Sequence, residues 1–268
     1  MAEKYLFRED APFGEDVWSK LDSVMVSAAK SRLSGRRLLD IEGPYGYSLK
    51  SVPLHDEPVA DADASVMCSR SLPVPLIETR FTLGARDLAT FEETGFALDT
   101  GAVAMAAQAA AAAEDRLVFE GSKNLGIPGL MTADGVGSVK MGNWQEPGAA
   151  AADVTGAIDT LDQAGFHGPY LLALTPSLYN MLYRLLPHGF RTELQHIEGI
   201  LGTTVIKAPG IKKGGVLLAS GRQYASIVIG QDMTIGFVGP EDSGLGFKIT
   251  ESLTPLIRVP GSVCVLKA

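Results

Sequence analysis

The four histidines are the first side chains that could bind metal or transfer protons at neutral pH. His188 and His196 are eight residues apart, on a predicted loop and the helix after it, whereas helical zinc ligands are usually about three or four apart. We therefore interpret both as solvated or hydrogen-bonded side chains, with a zinc pair as the less favoured alternative. His55 lies at the tip of a predicted arm and His167 in a turn, and we interpret both as structural.

Paired carboxylates are the next candidates, because two close carboxyl groups can act as general acid and base. Glu92 and Glu93 are adjacent on a predicted helix, so their side chains point about 100° apart and share no reacting centre. Asp61 and Asp63 face one side of an extended segment, where small neighbours favour solvent over a metal. Trp144 could stack on a flat ligand, but a core anchor is the commoner role.

Motifs of the common enzyme classes are absent from the sequence. The chain has no GxSxG nucleophile elbow, no P-loop and no HExxH zinc helix. The glycines of GVGSVKMG at 135–142 lack the GxGxxG spacing that lets a backbone approach a pyrophosphate. The residues therefore predict a protein that is not an enzyme and has no catalytic residue, cofactor or metal site.

Composition limits the partners and the compartment. The 268 residues contain 23 Lys and Arg against 31 Asp and Glu, a net charge of −8, which argues against a general nucleic-acid binder. The N-terminus is too charged for a signal peptide, and no apolar run is long enough to span a membrane. Cys68 and Cys264 predict two free, mostly buried thiols, with one long-range disulfide as the alternative. We expect a reducing cytoplasm.

The predicted elements describe a mixed α and β chain. An amphipathic helix begins at Glu15 and ends near Gly35, and an alanine-rich helix covers 98–120. Strands at Ser48–Val52 and Ile77–Leu83, joined by a polar tip, predict a long arm with little core of its own. Further helices are predicted at 150–164, 177–186 and 193–201, and strands at 171–175, 205–206, 215–219, 226–229, 234–237, 246–251, 255–259 and 263–266.

Six blocks of sequence, in order, carry a resemblance to one family. They are GRRLLDIEGPYG at 35–46, SLPVPLIETRFTL at 71–83, AAAAAEDRLVFEGSKNLGIPGL at 109–130, HGPYLLAL at 167–174, IGQDMTIGF at 229–237 and ITESLTPLI at 249–257. The third block has a signature formed by Glu114, Asp115, Phe119, Gly121, Ile127, Gly129 and Leu130. From about Ala11 to its C-terminus the chain resembles the encapsulins, the shell proteins of bacterial and archaeal protein nanocompartments.

The resemblance implies an α+β fold like that of the tailed-bacteriophage major capsid proteins. Residues 1–47 would form an N-terminal arm and a luminal helix, and 48–83 an extended E-loop that pairs with a neighbouring subunit. Residues 84–136 and 227–268 would form the P-domain, with the alanine-rich helix as its spine. Residues 137–226 would form the A-domain. A shell subunit of this kind completes its exposed strand edges by assembly.

The resemblance also implies a binding site for the C-terminal targeting peptide of an enzyme cargo. The matching residues are Arg36 and Asp40 on one side and Met233 and Ile235 in the apolar floor. A guanidinium can bind backbone carbonyls or a carboxylate in a fixed geometry, which suits an extended peptide. The alternative is an ordinary ion pair between Arg36 and Asp40, which are four residues apart.

The loop Leu186–Thr192 corresponds to the fivefold-pore loop of the family. Its central residues are His188, Gly189, Phe190 and Arg191. Gly189 implies flexibility, and His188 and Arg191 would place positive or titratable groups near a narrow opening, which would bias the passage of anions or metal ions. An ordinary surface loop is the alternative.

The family also implies classes of cargo. Ferritin-like iron oxidases, dye-decolourising peroxidases and hemerythrin-like proteins occur with encapsulins, so iron storage or oxidative-stress defence is the expected role. Some members bind flavin, but Arg86 stands where an aromatic side chain would help, so no flavin is expected. The alternatives are a viral capsid protein that packages DNA, which the charge disfavours, and a protease or bacteriocin, for which no catalytic constellation is present.

Overall fold

The computed structural model describes residues 3–60, 64–187, 190–242 and 244–268. Within them the α-helices are α1 (Glu15–Arg32), α2 (Gly35–Leu38), α3 (Ala85–Thr94), α4 (Gly101–Glu120), α5 (Ala149–Gln163), α6 (Pro176–Met181) and α7 (Glu193–Leu201). The predictions of α1, α4, α5 and α7 are confirmed. Helix α3 contains Glu92 and Glu93, which were placed on a helix without bounds, and the one-turn helix α2 was not predicted because it is too short to show a period.

The strands are grouped along the chain, with β1 to β4 between α2 and α3 and β9 to β13 after α7. They are β1 (Asp40–Glu42), β2 (Ser51–Ala60), β3 (Ser65–Pro73), β4 (Leu76–Gly84), β5 (Gly121–Ser122), β6 (Ile127–Pro128), β7 (Gly137–Lys140), β8 (Tyr170–Leu174), β9 (Ile206–Lys207), β10 (Gly215–Ala219), β11 (Ala225–Glu241), β12 (Gly244–Ile257) and β13 (Val263–Lys267). The segment Asp40–Tyr47, predicted as a turn, therefore begins with a strand. The mixed α+β class is confirmed.

A four-stranded sheet has the order β1-β11-β12-β4, with β1 parallel to β11 and the other pairs antiparallel. The sequence predicted two short strands in place of β11 and two in place of β12. The structure instead has two long strands, because irregularities in the pairing between Ile229 and Thr234 let β11 continue past Gly230 and Asp232.

A five-stranded sheet has the order β7-β13-β10-β8-β9. Strand β13 lies between β7 and β10, so the C-terminal strand joins the sheet that residues 137–226 otherwise supply. Our division by domain placed 227–268 with the other unit, and the structure places Val263–Lys267 in this sheet instead. The division into E-loop, P-domain and A-domain otherwise stays a prediction.

The arm is a two-stranded hairpin formed by β2 and β3. The predicted pairing of Ser48–Val52 with Ile77–Leu83 is wrong, because β4 is antiparallel to β12 in the four-stranded sheet. Pro53 and Pro58 lie within β2. The sequence predicts this stretch as the polar tip, because prolines usually interrupt strands. A strand whose outer edge is free tolerates proline, since the missing N–H has no partner to bond.

Helices α1, α3 and α4 pack against the four-stranded sheet. The buried side chains of α1, which include Val17 and Leu21, contact the inner face of α4 and the aromatic residues Phe81 and Phe247 of the sheet. A second core joins both sheets through Phe119 of α4 and apolar residues of β8, β10, β11 and β12. Helix α2 lies at this junction and contributes Leu38 to it.

Candidate functional site

The N-terminus of α2 is held by one buried carboxylate. Asp115 of α4, which has no exposed surface, accepts hydrogen bonds from the Ser34 backbone N–H at 3.0 Å, from Ser34 Oγ at 2.6 Å and from the Gly35 N–H at 2.9 Å. The first N–H groups of a helix have no partner within the helix, and an anion there also meets the positive end of its dipole. Asp115 therefore fixes the position of α2 on α4.

Arg36 is the next residue of α2, and its guanidinium lies among three carboxylates. Its Nε and Nη2 both donate to Glu114 at 2.7 Å, and Nη1 donates to Asp232 Oδ1 at 2.7 Å. Nη2 also donates to Glu251 Oε2 at 3.1 Å. Asp40 is exposed on β1, and the ion pairs that Arg36 makes with described residues do not include it. The guanidinium is thus satisfied within its own chain.

Burial and like charge dominate the electrostatics around Arg36. The Glu114 and Glu251 side chains are fully buried. Burial raises the pKa of Glu251 to about 9, and the charge of Glu114 adds to this rise while Arg36 opposes it. Burial lowers the pKa of Arg36, but its bonds with Glu114 and Asp232 outweigh burial, so the net change is upward.

The two apolar residues predicted for the peptide floor lie at different depths. Met233 is half-buried and contacts the patch formed by Ala29 of α1, Leu33 just after α1 and Ala111 of α4. Ile235 is fully buried in the core beneath α1 and has no exposed surface. The structure thus brings Arg36 and Met233 to neighbouring parts of one face, and leaves Ile235 below that face as support.

The third sequence block has a structural reason at each signature position. Glu114 and Asp115 hold α2, and Phe119, Ile127 and Leu130 are core residues. Gly121 has φ +68°, and a Cβ on Gly129 would lie 2.3 Å from the Gly121 nitrogen. The end of α4 and the β5–β6 turn therefore approach so closely that no side chain fits between them.

The predicted pore loop lies partly outside the described residues. His188 and Gly189 belong to the segment that the structure does not describe. Phe190 is fully exposed and Arg191 is exposed. The base of the loop is closed by a bridge between Leu185 and Thr192. The loop therefore presents its described tip residues to solvent in the single subunit.

The base of this loop is fixed by a second buried ion pair, which the sequence did not suggest. Glu193 has no exposed surface, accepts from Arg184 Nε at 2.7 Å and accepts from the Gly148 N–H at 3.0 Å. Thr192 caps α7 by accepting from the Gln195 N–H, and the Gln195 side chain accepts from Thr192 in return. The exposed residues Phe190 and Arg191 thus lie above a base that these hydrogen bonds fix.

The other candidate carboxylates and histidines are separate from one another. Glu92 accepts from the Gly14 N–H at 3.1 Å, and Glu93 is exposed. His196 is exposed on α7, and His167 forms a 3.0 Å contact with Asp162. Asp61 and Asp63 lie outside the described residues. Across the described ranges, no group of three or more such side chains is arranged to hold a metal ion.

The tryptophan and cysteine predictions fare differently. Trp144 is buried in the core beside the five-stranded sheet and donates its Nε1–H to Asp153 at 2.7 Å, so it is a core anchor as favoured. Both cysteines are free. Cys264 is buried as predicted, but the prediction of burial is wrong for Cys68, because β3 of the hairpin exposes it.

In the part of the chain that is described, no helix is long and apolar enough to cross a membrane.

A groove of about 610 Å³ separates the foot of the hairpin from the four-stranded sheet. Its walls include Leu49 and Leu54 from the arm and Leu256 from β12. Glu42 lies at one end, where it accepts from Ser226 Oγ at 2.6 Å and from Arg258 Nη2 at 2.7 Å. Burial raises the pKa of Glu42, but hydrogen bonds from Arg222, Ser226 and Arg258 outweigh burial and lower it to about 2.

Comparison with solved structures identifies the fold. The chain matches a virus-like particle from Pyrococcus furiosus with a TM-score of 0.76 and 20% identity, over 94% of this chain and 99% of that one. It matches the capsid of the Myoviridae phage XM1 with a TM-score of 0.60 and 14% identity, over 86% of this chain and 89% of that one. The tailed-bacteriophage capsid fold is confirmed.

Sequence comparison then gives the family. A family model described as an encapsulating protein for peroxidase matches residues 3–254. A type 1 encapsulin shell protein of Myxococcus xanthus is 29% identical over 276 aligned residues, which cover 98% of this chain and 96% of that protein. The chain belongs to the encapsulin shell-protein family. It is a structural protein and not an enzyme, as its relatives are shell proteins.

Proposed function

We propose that this chain assembles with copies of itself into a closed icosahedral shell that encloses an enzyme. The observation that carries the proposal is the hairpin. Strands β2 and β3 pair with each other and with no other strand among the described residues, and they expose Val66 and Met67. Free strand edges beside exposed apolar side chains favour contact with another chain. The membership of the encapsulin family supports a second copy of this chain as that partner.

The cargo peptide binds, in this proposal, on the face between the end of α1 and the 231–235 stretch of β11. Half-buried Met233 offers an apolar contact there, and exposed Asp40 lies beyond α2, opposite Ser226 of β11. Arg36 and Ile235 act mainly from below, because Arg36 is paired with three carboxylates and Ile235 is buried. Support for a protein cargo comes from the description of the family model, which names a peroxidase as the enclosed protein.

The loop that contains His188, Gly189, Phe190 and Arg191 forms the small opening of the proposed shell. Its exposed tip on a base fixed by Arg184 and Glu193 suits a pore rim, because the rim must hold its shape while the tip meets solutes. The shell lies in the cytoplasm and admits small substrates of the cargo. That cargo is a dye-decolourising peroxidase, a ferritin-like or a hemerythrin-like protein, so the role is oxidative-stress defence or iron storage.

The test is to purify the protein from its native host, image it by electron microscopy and identify the enclosed proteins by mass spectrometry. We expect closed particles with one co-purified enzyme and no nuclease-protected DNA. Met233→Asp should reduce the co-purified enzyme at least fivefold in intact particles, whereas Ser23→Asp, on the exposed face of α1, should not. Protected DNA without protein cargo would support the viral capsid alternative instead.

Arg36→Ala is a poor probe of peptide contact in this structure. Removing the guanidinium leaves Glu114 and Glu251 as buried carboxylates without their cation, so lost cargo could reflect a displaced α2. Asp40→Ala is the better probe on that side, because the Asp40 side chain is exposed and its removal leaves no buried group without a partner. Unchanged loading in both Asp40→Ala and Met233→Asp particles would contradict the assigned face.

A further inference from the structure

The groups around Glu251 come from four elements that meet at the junction of α2 with the sheet. Arg36 comes from α2, Glu114 from α4 and Asp232 from β11, while Glu251 itself lies on β12. Strand β4 places the apolar Ile77 opposite Glu251 in the register. One cation thus faces three carboxyl groups, two of which are fully buried.

A fully ionised cluster is unfavourable at this place. Asp232 is 55% exposed, so the two fully buried carboxylates, if both ionised, would share one guanidinium and leave one buried negative charge uncompensated, and the cost of such a charge is high. In addition, Glu251 Oε1 is buried and has no hydrogen-bond partner among the described residues. A carboxyl group that carries a proton removes one charge, and its O–H group becomes a donor to a neighbouring carboxylate. One proton therefore both lowers the buried negative charge and lets the unpartnered oxygen take part in a hydrogen bond.

We propose that the buried Glu251 carboxyl group carries a proton, and that this proton makes the attachment of α2 to the body of the protein a pH-sensitive latch. With the proton bound, Arg36 balances Glu114, the half-exposed Asp232 faces water, and α2 stays seated. When the proton leaves at alkaline pH, two buried carboxylates repel each other across one cation. The junction of α2, α4 and β12 then loosens.

The direction of the pH dependence follows from the free energies of the two states. Burial, together with the charge of Glu114, raises the pKa of Glu251 to about 9 from its ordinary 4.5. The folded protein therefore holds a proton that the unfolded chain releases above about pH 4.5. The stabilisation is complete below that value and is lost as the pH rises through about 9.

The test compares assembled wild-type protein with Glu251→Gln, whose neutral amide needs no proton. Infrared spectra at pH 7 should show the C=O band of a protonated carboxylic acid in the wild type and not in the variant. The wild-type thermal midpoint should fall between pH 6 and 10 relative to that of Glu251→Gln. Glu120→Gln is the matched control, since Glu120 is also on α4 but pairs with Lys212 outside the cluster.

Asp232→Asn keeps the proposal testable if Glu251→Gln does not fold. Asp232 is 55% exposed, so its replacement is tolerated, and its charge raises the proton affinity of Glu251. We expect the infrared band of this variant to disappear at a lower pH than the wild-type band, by up to about one unit. The proposal is overturned by wild-type spectra without a protonated carboxyl band at pH 7, or by a band that neither substitution changes.

Discussion

The hairpin and the α2 junction differ in where their backbone edges, polar groups and apolar side chains find partners. At the junction, Asp115 and Arg36 form hydrogen bonds with the buried polar groups of three elements. All of these groups belong to the same chain. In the hairpin, the strands have free outer edges among the described residues, and Val66 and Met67 are 43% and 53% exposed. One region is complete in a single subunit, and the other has surface that only another molecule can bury.

The difference separates folding from assembly in this protein. Substitutions at the junction should lower the free energy of unfolding, because they leave buried groups without partners. Substitutions on the hairpin surface should leave that free energy nearly unchanged and act on association instead. Each prediction below tests one side of this contrast.

Asp115→Ala should have the largest effect on folding. It removes the acceptor for Ser34 N–H, Ser34 Oγ and Gly35 N–H, which are buried. We expect a loss of about 3–5 kcal/mol in the free energy of unfolding, measured by denaturant titration with tryptophan fluorescence. Asp115→Asn keeps one acceptor oxygen and should lose about half as much. Equal stability of all three proteins would show that this carboxylate does not hold α2.

Gly129→Ala should have the next largest effect. Its Cβ would lie 2.3 Å from the Gly121 nitrogen and 2.4 Å from the Glu120 carbonyl carbon, and neither backbone atom can move aside alone. We expect a loss of about 3 kcal/mol in the same titration. Gly126→Ala is the control, since Gly126 has φ +66° but open space around it, and should lose only about 1 kcal/mol. A reversed order would contradict the close approach of α4 and the β5–β6 turn.

The contribution of Glu42 to stability should depend on pH in the opposite direction to the contribution of Glu251. Its pKa of about 2 lies below the ordinary 4.5, so its stabilisation is present above about pH 4.5 and lost as the pH falls through about 2. We expect Glu42→Gln to cost about 2 kcal/mol at pH 7 and much less at pH 3. The measurement is denaturant unfolding of both proteins at the two pH values. A cost that does not change with pH would rule out the Arg222 and Arg258 contacts as its cause.

Arg70→Ala should have the smallest effect on stability. Arg70 pairs with Glu57 at 2.9 Å on the hairpin, and its side chain is 72% exposed. An exposed ion pair contributes little, so we expect a change below about 0.5 kcal/mol in the thermal or denaturant midpoint. A loss as large as that of Asp115→Ala would mean that the hairpin is part of the cooperative core, and the contrast between the two regions would fail.

Periodicity and breaker residues predicted the long elements of this fold. Helices α1 and α4 have apolar faces or strong helix formers, and Gly121 ends α4 as expected. The same reasoning divided β11 and β12 into four strands, because glycine and polar residues interrupt the alternation where the pairing shifts register. It also placed the arm in the wrong strands, since Pro53 and Pro58 resemble loop residues unless the free edge of β2 is known.

The candidate site was predictable only in part. Family resemblance pointed to Arg36, but its partners Glu114 and Glu251 are 78 and 215 residues away along the chain. No local spacing reveals such a cluster, so the pairing of Arg36 with Asp40 looked reasonable and is not formed. The adjacent Glu114 and Asp115 were visible as a signature, but their roles depend on where α2 meets α4.

If the hairpin joins subunits, the double variant Val66→Asp, Met67→Asp should lose assembly, and sedimentation measures this. The wild-type protein should sediment as closed particles of many subunits. The variant should sediment as free subunits or small oligomers, with a circular-dichroism spectrum like that of Arg70→Ala. Closed particles of wild-type mass formed by the double variant would contradict this role of the hairpin.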